Sequence, residues 1–206
     1  RAVSELLHAQ GFSVLELHGD LEQRDRDQVL IRFVNGSCSV LVATDVAARG
    51  LDVTNLAAVI NVDVTPDPEI HVHRIGRTGR AGQSGLALSL ASMDEMGSVG
   101  RIEQIQGSPS VWYPVDELTP TAGGRLLPSK ATVHINASRK DKIRPGDVLG
   151  ALTAVFGYSR DKVGKIDINE FATYVAVDRK IAHDVIAKLN SGKIKGRSVK
   201  ARLLKD

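Results

Sequence analysis

The sequence predicts an α/β fold, a parallel sheet with helices on both faces, followed by a small α+β domain with the element order βαββαβ. Three observations predict it. Strand and helix patterns alternate through the first half, a stretch rich in Gly, Pro, Ser and Thr follows, and the net charge changes sign after that stretch. We therefore expect a first domain at residues 1–115, a linker at 116–130 and a second domain at 131–206.

Hydrophobic periodicity and capping residues define the elements of the first domain. Asp20 and Gln23 form an N-capping pair for a helix that ends at Phe33. Asp67 caps a later helix that has Pro68 at its first position. The other expected elements are a helix at Ala2–Gln10, strands at Val14–Leu17, Val40–Thr44, Ala58–Val64 and Leu86–Leu90, and a helix at Met93–Ile105.

The second domain shows a shorter version of the same alternation. Its expected elements are strands at Ala131–Asn136, Lys162–Ile168, Phe171–Val177 and Ser198–Leu203, with helices at Pro145–Val155 and Arg179–Leu189. This order within so short a segment is the split β-α-β arrangement of small α+β domains.

The charge of the chain is distributed unevenly. Residues 1–129 carry ten arginines, no lysine and sixteen acidic residues, a net of −6, whereas residues 130–206 carry a net of +9. A short segment with that excess is typical of proteins that bind a polyanion, because each phosphate it neutralises releases counterions. A basic surface kept only for solubility is the alternative.

Composition also excludes several classes of protein. The chain has one cysteine, Cys38, so it has no internal disulfide and no cysteine-rich zinc site. His8, His71 and His183 lack metal-ligand spacing. No apolar stretch is long enough to span a membrane and no secretory signal is recognisable, so we expect a cytoplasmic protein without a membrane partner. The lysine-free first part contains no phosphate loop of the G-x-x-x-x-G-K-[ST] type.

Three charged clusters follow predicted strands or end a predicted helix in the first domain. They are His18-Gly19-Asp20 with Gln23 and Arg26, Thr44-Asp45 with Arg49, Gly50 and Asp52, and His73-Arg74-Ile75-Gly76-Arg77-Thr78-Gly79-Arg80. The carboxyl ends of parallel strands are where open α/β sheets bind ligands. Arginines spaced three apart with glycines between them suit a polyphosphate.

In this order the three clusters resemble the second RecA-like domain of DEAD-box RNA helicases, over roughly residues 2–115. The resemblance implies that ATP, as its Mg²⁺ complex, is bound between this domain and a first RecA-like domain, which supplies the phosphate loop, holds most of the metal contacts and is a required partner. It makes Arg77 and Arg80 the catalytic arginine fingers on the γ-phosphate. It places Gly50 and Asp52 beside the ATP ribose, and it gives Arg49 and His73 a coupling role between nucleotide, RNA and the facing domain.

The same resemblance implies an RNA-binding edge on this RecA-like sheet. Gly19, Gln23, Arg26 and Thr44 then belong to a surface that holds single-stranded RNA through its phosphates and sugars. Such contacts position the RNA without selecting its sequence. Sequence preference is therefore expected from the basic second domain.

The second domain resembles an RNA recognition motif, and more narrowly the C-terminal domain of DbpA-type helicases. The segments Lys142–Leu152 and Gly192–Gly196 carry that resemblance. The usual stacking aromatics are reduced to Tyr174, with Ala172 at the other position, so we expect a poor stacking surface. The predicted RNA contacts are Tyr174 and the cationic residues Arg139, Lys140, Lys142, Arg144, Lys193, Lys195 and Arg197.

The resemblance implies an ATP-dependent RNA helicase directed to a hairpin of large-subunit ribosomal RNA, with ribosome precursor particles as partners in bacterial ribosome assembly. It also implies that the sequence begins inside the second motor domain, so that this chain alone has no ATPase activity. Two alternatives remain at this point. One is an RNA-binding module without catalytic activity, and the other is a DNA helicase of the same superfamily.

Overall fold

The computed structural model describes residues 1–48, 53, 56–79, 84–119 and 126–204. They belong to two compact units, one formed by residues 1–48 together with 123–206 and the other by residues 49–122. No helix among the described residues has the length and apolar character needed to cross a membrane. The first unit combines residues 1–48 with the basic second domain at 131–206, which we call the tail. The domain boundaries expected from the sequence therefore remain predictions.

The first unit begins with alternating helices and strands. Its elements up to residue 48 are α1 (Ala2–Ala9), β1 (Val14–Leu17), α2 (Gln23–Val34), β2 (Val40–Ala43) and the single turn α3 (Asp45–Ala48). The two strands are parallel, with Val14 opposite Val40 and Leu17 opposite Ala43. Val14 and Leu17 are buried, which fits an apolar strand packed on both faces. The parallel pairing predicted from the sequence is thus confirmed here.

The rest of the first unit is a small antiparallel sheet with helices on one side. Its elements are β5 (Lys130–Ile135), α6 (Pro145–Gly150), β6 (Val163–Ile168), β7 (Thr173–Asp178), α7 (Ala182–Ser191), a hairpin of β8 (Lys193–Ile194) and β9 (Arg197–Ser198), and β10 (Ala201–Leu203). The strand order is β10-β5-β7-β6. The expected βαββαβ order is therefore present, with the β8–β9 hairpin added.

Alternation along the strands gives this sheet two different faces. Val133, Ile135, Val175 and Val177 point to one side, where they form a core with Val148, Leu152, Val185 and Leu189 of the helical side. Thr132, His134 and Tyr174 lie on the opposite face, because their positions alternate with those residues. Burial of the valine and isoleucine side chains stabilises the domain, and Thr132, His134 and Tyr174 form the surface through which the sheet can make other contacts.

The helix predicted at Pro145–Val155 changes its hydrogen bonding after Gly150. Residues Ala151–Val155 form a π-helical turn, closed by the amide of Phe156 donating to the carbonyl of Ala151 at 2.9 Å. Such turns often occur at functional sites. Phe156 packs so closely on Gly192 that a Cβ there would lie 2.7 Å from its ring, so glycine is required at the end of α7.

The second unit contains a second parallel pair. Its helices and strands are β3 (Ala58–Asn61), α4 (Pro68–Ile75), β4 (Leu86–Ser89) and α5 (Met96–Gln106). Ala58 lies opposite Leu86 and Asn61 opposite Ser89. The Asp67 carboxylate accepts the Glu69 amide at 2.9 Å, as expected of an N-cap. Val64, Val99 and Ile102 form the buried cluster of this unit.

Candidate functional site

The carboxyl ends of β1 and β2 lie side by side. Since Leu17 is opposite Ala43, the residues that follow them occur at one edge of the parallel pair. The Thr44 amide donates to the Leu17 carbonyl at 3.1 Å, which fixes the second strand end on the first. Gly19 is exposed, with open space where a Cβ would be, and Thr44 is also exposed. The structure therefore brings these two predicted RNA contacts together.

Helix α2 adds two polar side chains near this edge. Gln23 is exposed in the first turn and donates from Nε2 to the Asp27 carboxylate at 2.6 Å. Arg26 extends from Nη2 to the Ala47 carbonyl at 2.7 Å, and it is partly buried. That bond ties α2 to α3, so Arg26 has a structural role beside any contact with RNA.

The nucleotide side of the prediction is only partly described. Arg49, Gly50, Asp52 and Arg80 lie outside the described residues. His73 is exposed and Arg77 is half-buried at the end of α4. The Arg77 carbonyl accepts the Leu56 amide at 3.0 Å, which fixes its backbone. Arg77 thus has a fixed backbone position, and its planar guanidinium is of the kind that pairs with phosphate.

A neighbouring arginine of α4 has a different task. Arg74 donates from Nη1 to the carbonyl of Asp63 at 2.9 Å and to Oδ1 of Asn61 at 3.3 Å. These bonds fasten α4 to the end of β3. Beside Arg74, burial first and this cation second hold the pKa of His71 below its ordinary value, so His71 favours its neutral form.

The tail places its two basic segments on one surface. Lys142 lies in the loop between β5 and α6, and Lys195 lies at the tip of the β8–β9 hairpin. The Lys195 ammonium donates to the Lys142 carbonyl at 2.9 Å. Arg197 donates from Nη1 to the Asp141 carboxylate at 3.3 Å, which joins the same two segments a second time. We call this surface, formed by 139–144 and 193–197, the basic edge.

Backbone geometry explains how the hairpin presents its lysine. Lys195 has a φ of 49° and Gly196 a φ of 78°, two successive positive values that are typical of a two-residue type I′ turn. Lys142 also has a positive φ, 60°. Lysine rarely adopts this conformation. The bond between the Lys195 side chain and the Lys142 carbonyl therefore joins two strained positions.

Two acidic residues, Asp141 and Asp147, pair with cations of the basic edge, and the net charge of this surface stays positive. The Asp147 carboxylate accepts the Arg144 amide at 2.9 Å and lies 3.4 Å from Nζ of Lys195. The Arg144 amide first and Lys195 second hold the pKa of Asp147 below its ordinary value. The carboxylate thus stays ionised and keeps both basic segments in position. Among the described residues, no group of three or more His, Cys, Asp or Glu side chains is arranged to hold a metal ion.

Tyr174 lies in a different environment from these cations. It is 4% exposed and packs with Ala172, Leu204 and Ile31 of α2. Its hydroxyl accepts a 3.4 Å hydrogen bond from Nε2 of Gln28. A ring buried under a helix has no free face for a base, so the structure corrects the predicted RNA contact of Tyr174 to a packing contact. The expectation of a poor stacking surface agrees with this burial.

A buried polar network completes the contact between α2 and the sheet. Asn35 donates from Nδ2 to the Thr132 hydroxyl at 2.9 Å, and that hydroxyl donates to Ser37 at 2.8 Å. All three residues are buried. His134, on the same face, has its ring 5.3 Å from that of Tyr174 in an edge-on arrangement. Neither α2 nor this network can be recognised as a cover for the sheet in the sequence pattern.

Two known protein families match this chain. Residues 1–82 match the helicase conserved C-terminal domain family, and residues 132–203 match the DbpA RNA binding domain family. The ATP-dependent RNA helicase DbpA of Escherichia coli is 48% identical over 208 residues, which cover all of this chain. The chain belongs to the DEAD-box helicases. Within them it is of the DbpA type, because the resemblance to DbpA includes the RNA-binding tail.

Other DEAD-box helicases match part of this chain. The DEAD-box ATP-dependent RNA helicase CshA of Bacillus cereus is 53% identical over 75 residues, which is 36% of this chain and 14% of that protein. The crystal structure of the E. coli DEAD-box protein SrmB bound to regulator of ribonuclease activity A has a TM-score of 0.54 at 34% identity, covering 62% of this chain and 74% of that one. The predicted RecA-like parallel arrangement is confirmed by this likeness, and the separate sheet β10-β5-β7-β6 fits the predicted RNA recognition motif-like tail.

This DEAD-box chain spans 44% of the length of E. coli DbpA. It shares with that helicase the part that contains the arginine-rich cluster and the basic tail. The rest of the length of that helicase has no counterpart in this chain.

Proposed function

We propose that this chain is the C-terminal part of an ATP-dependent RNA helicase whose tail directs it to one structured RNA. The joining of Lys142 and Lys195 in one basic edge is the observation that carries the proposal. Two segments that lie 53 positions apart in the chain meet there, which concentrates cationic donors on a surface that phosphates can reach. The wider set of tail contacts comprises Arg139, Lys140, Lys142, Arg144, Lys193, Lys195 and Arg197.

The proposed target is a hairpin of large-subunit ribosomal RNA in ribosome precursor particles. Support for it is the match of the tail to the DbpA RNA binding domain family, combined with its net positive charge. The edge formed by Gly19, Gln23, Arg26 and Thr44 would hold an adjacent single strand through its backbone. A cationic edge and a sequence-neutral strand edge divide the work between targeting and unwinding.

The proposed nucleotide is ATP with Mg²⁺, used together with a first RecA-like domain. In this assignment Arg77 and Arg80 stabilise the charge that develops on the transferred γ-phosphoryl group. Gly50 and Asp52 lie near the ribose, and Arg49 and His73 couple the nucleotide to RNA. Of these residues, the structure describes Arg77 and His73, and support for the finger role of Arg77 is its place in the arginine-rich cluster 73–80.

RNA binding by this chain tests the targeting role. The chain should bind the ribosomal hairpin more tightly than an unrelated hairpin, with an affinity that falls as salt rises. Lys195→Gln should reduce the slope of log affinity against log salt by about 1, the loss of one phosphate contact. Lys165→Gln is the matched control, because Lys165 is an exposed lysine of β6 that pairs with Asp167 at 3.2 Å outside the basic edge.

Equal affinity for both hairpins would rule out the targeting role. Equal effects of the two lysine substitutions would show that charge alone, rather than the basic edge, determines binding. Fluorescence anisotropy over a salt series measures all of these quantities.

ATP hydrolysis tests the catalytic assignment. This chain alone should show no RNA-stimulated hydrolysis, since its first part has no phosphate loop. In a protein that joins the chain to a first RecA-like domain, Arg77→Ala should lower the turnover number by a factor of about 10³–10⁵, as loss of an arginine finger does. Arg101→Ala, a substitution of an exposed arginine on α5, is the control. Hydrolysis by the chain alone would refute the two-domain assignment, and full turnover by Arg77→Ala would refute the finger.

A further inference from the structure

The loop between β6 and β7 presents an aromatic ring to solvent. Phe171 is 76% exposed, although the neighbouring Ala172 and residues Thr173–Val177 of β7 are buried. Phenylalanine at such a position has no packing role in the described part of the chain that would explain it. An exposed ring next to cations is the arrangement on which unpaired bases stack in single-stranded nucleic acid complexes.

The backbone around this ring is held in a fixed shape. The Asn169 side-chain carbonyl accepts the Phe171 amide at 2.8 Å and the Ala172 amide at 2.7 Å. The Asn169 amide in turn donates to the Ala172 carbonyl at 3.0 Å. This Asx turn closes the loop on itself, so the exposed ring begins from an ordered backbone and loses little entropy when it binds.

One cation lies over the ring, and a second is bonded to the same loop. Nζ of Lys140 lies 4.5 Å from the centre of the Phe171 ring, and it pairs with Glu170 at 3.7 Å. Arg139 is attached to the same loop, because its amide donates to the Asn169 carbonyl at 3.0 Å and its Nη2 to the Ile168 carbonyl at 3.3 Å. The lysine covers one face of the ring, and the large exposure leaves the rest open to a ligand.

The position of the loop connects it with the basic edge. Arg139 and Lys140 are in the same loop as Lys142, and the Lys142 amide donates to the Arg139 carbonyl at 2.9 Å. RNA phosphates on Lys142 and Lys195 would therefore continue past Lys140 to the ring. We propose that Phe171, with Arg139 and Lys140, is a stacking site for one unpaired RNA base beside the hairpin. The proposal rests on the RNA-binding function of the tail.

Stacking predicts a result that a purely electrostatic contact does not give. Removing one base–aromatic stack typically weakens binding about 5- to 150-fold. Phe171→Ala should weaken binding of the whole chain by this range to an RNA hairpin with an unpaired extension. The loss should be the same at low and high salt, because the ring carries no charge. Lys195→Gln should instead change the salt slope.

The experiment uses two probes, the ribosomal hairpin with a 3′ single-stranded extension containing 2-aminopurine and the same hairpin with blunt ends. Wild type should quench the 2-aminopurine fluorescence, Phe171→Ala should not, and Phe171→Trp should restore both quenching and affinity. Val155→Ala is the matched control, since Val155 is an apolar residue of the same domain that is 72% exposed.

Three results would overturn the stacking site while leaving the proposed function intact. They are unchanged affinity and quenching in Phe171→Ala, an equal loss in Val155→Ala, and an equal loss on the blunt hairpin, which would point to a contact other than an unpaired base. Absence of salt-dependent binding by the wild-type chain would overturn both the stacking site and the proposed targeting.

Discussion

The sheet face that carries Tyr174 and the basic edge that carries Lys195 belong to the same small domain, but their surroundings are opposite. Tyr174 is 4% exposed beneath α2, whereas the Lys195 side chain is 48% exposed at a hairpin tip. The aromatic residue that the RNA recognition motif resemblance favoured is thus used for packing. The difference shows that residue type locates an RNA-binding surface only when the same residues are also accessible.

Substitution of Tyr174 should have the largest effect and separates the two surfaces. Tyr174→Ala removes a buried ring and should lower the free energy of unfolding by about 3–5 kcal/mol. RNA affinity of the folded protein should not change, because the ring contacts Ile31 rather than solvent. Urea denaturation and anisotropy at a temperature where the variant is folded measure the two quantities.

Tyr174→Phe serves as the control for this experiment. It keeps the ring and removes only the long hydrogen bond from Gln28, so stability should change little. A Tyr174→Ala protein that is fully stable yet binds RNA poorly would reverse the assignment of the two surfaces.

The stability of the protein should also depend weakly on pH through His134, which lies on the same sheet face as Tyr174. Burial first, and then the cations Arg202 and Arg24, hold the pKa of His134 below its ordinary value. The unfolded chain therefore binds the proton more readily than the folded chain, and stability should fall as pH drops below about 6.5 toward the folded pKa. His134→Asn should remove that component. The measurement is the difference between the thermal midpoints of wild type and variant at pH 7 and at pH 5.

This difference isolates His134, because His71, whose pKa is also lowered, is present in both proteins. An equal shift of the two midpoints on acidification would show that His134 is solvated, and a wild-type protein that gains stability relative to His134→Asn would show that the fold favours the protonated ring. The basic edge contains no histidine in 139–144 or 193–197, so its binding should not follow this pH dependence.

Local patterns predicted most elements of the fold. Asp67-Pro68 begins a helix as expected, and the strand at Val14–Leu17 has the predicted bounds. The π-helical turn at Ala151–Val155 is not predicted by the helical pattern, because the apolar spacing at 145–155 does not distinguish π-helical from α-helical hydrogen bonding. The β8–β9 hairpin was missed since its strands have two residues each, too few for a periodic signal.

The site was predicted unevenly for a related reason. The sequence indicates Lys142 and Lys195 as two separate cations. The hydrogen bond that joins them depends on the type I′ turn at Lys195-Gly196, and this pair of residues specifies such a turn only when it lies between two antiparallel strands. Phe171 was placed inside a strand, whereas the structure begins β7 at Thr173. An aromatic two residues after Asn169 is a signal of an ordered loop that sequence reasoning can use.

The buried bond between Asn35 and Thr132 has a consequence for synthesis of the protein. Its partners are 97 residues apart, so at about 5–20 residues per second the ribosome needs about 5–20 s to deliver the second after the first. During that interval Ile31 of α2 and Asn35, which follows its last residue, have no sheet to cover them. The nascent chain consequently passes through a stage in which α2 has been synthesised but is incompletely buried, and that stage is where aggregation or chaperone capture would compete with folding.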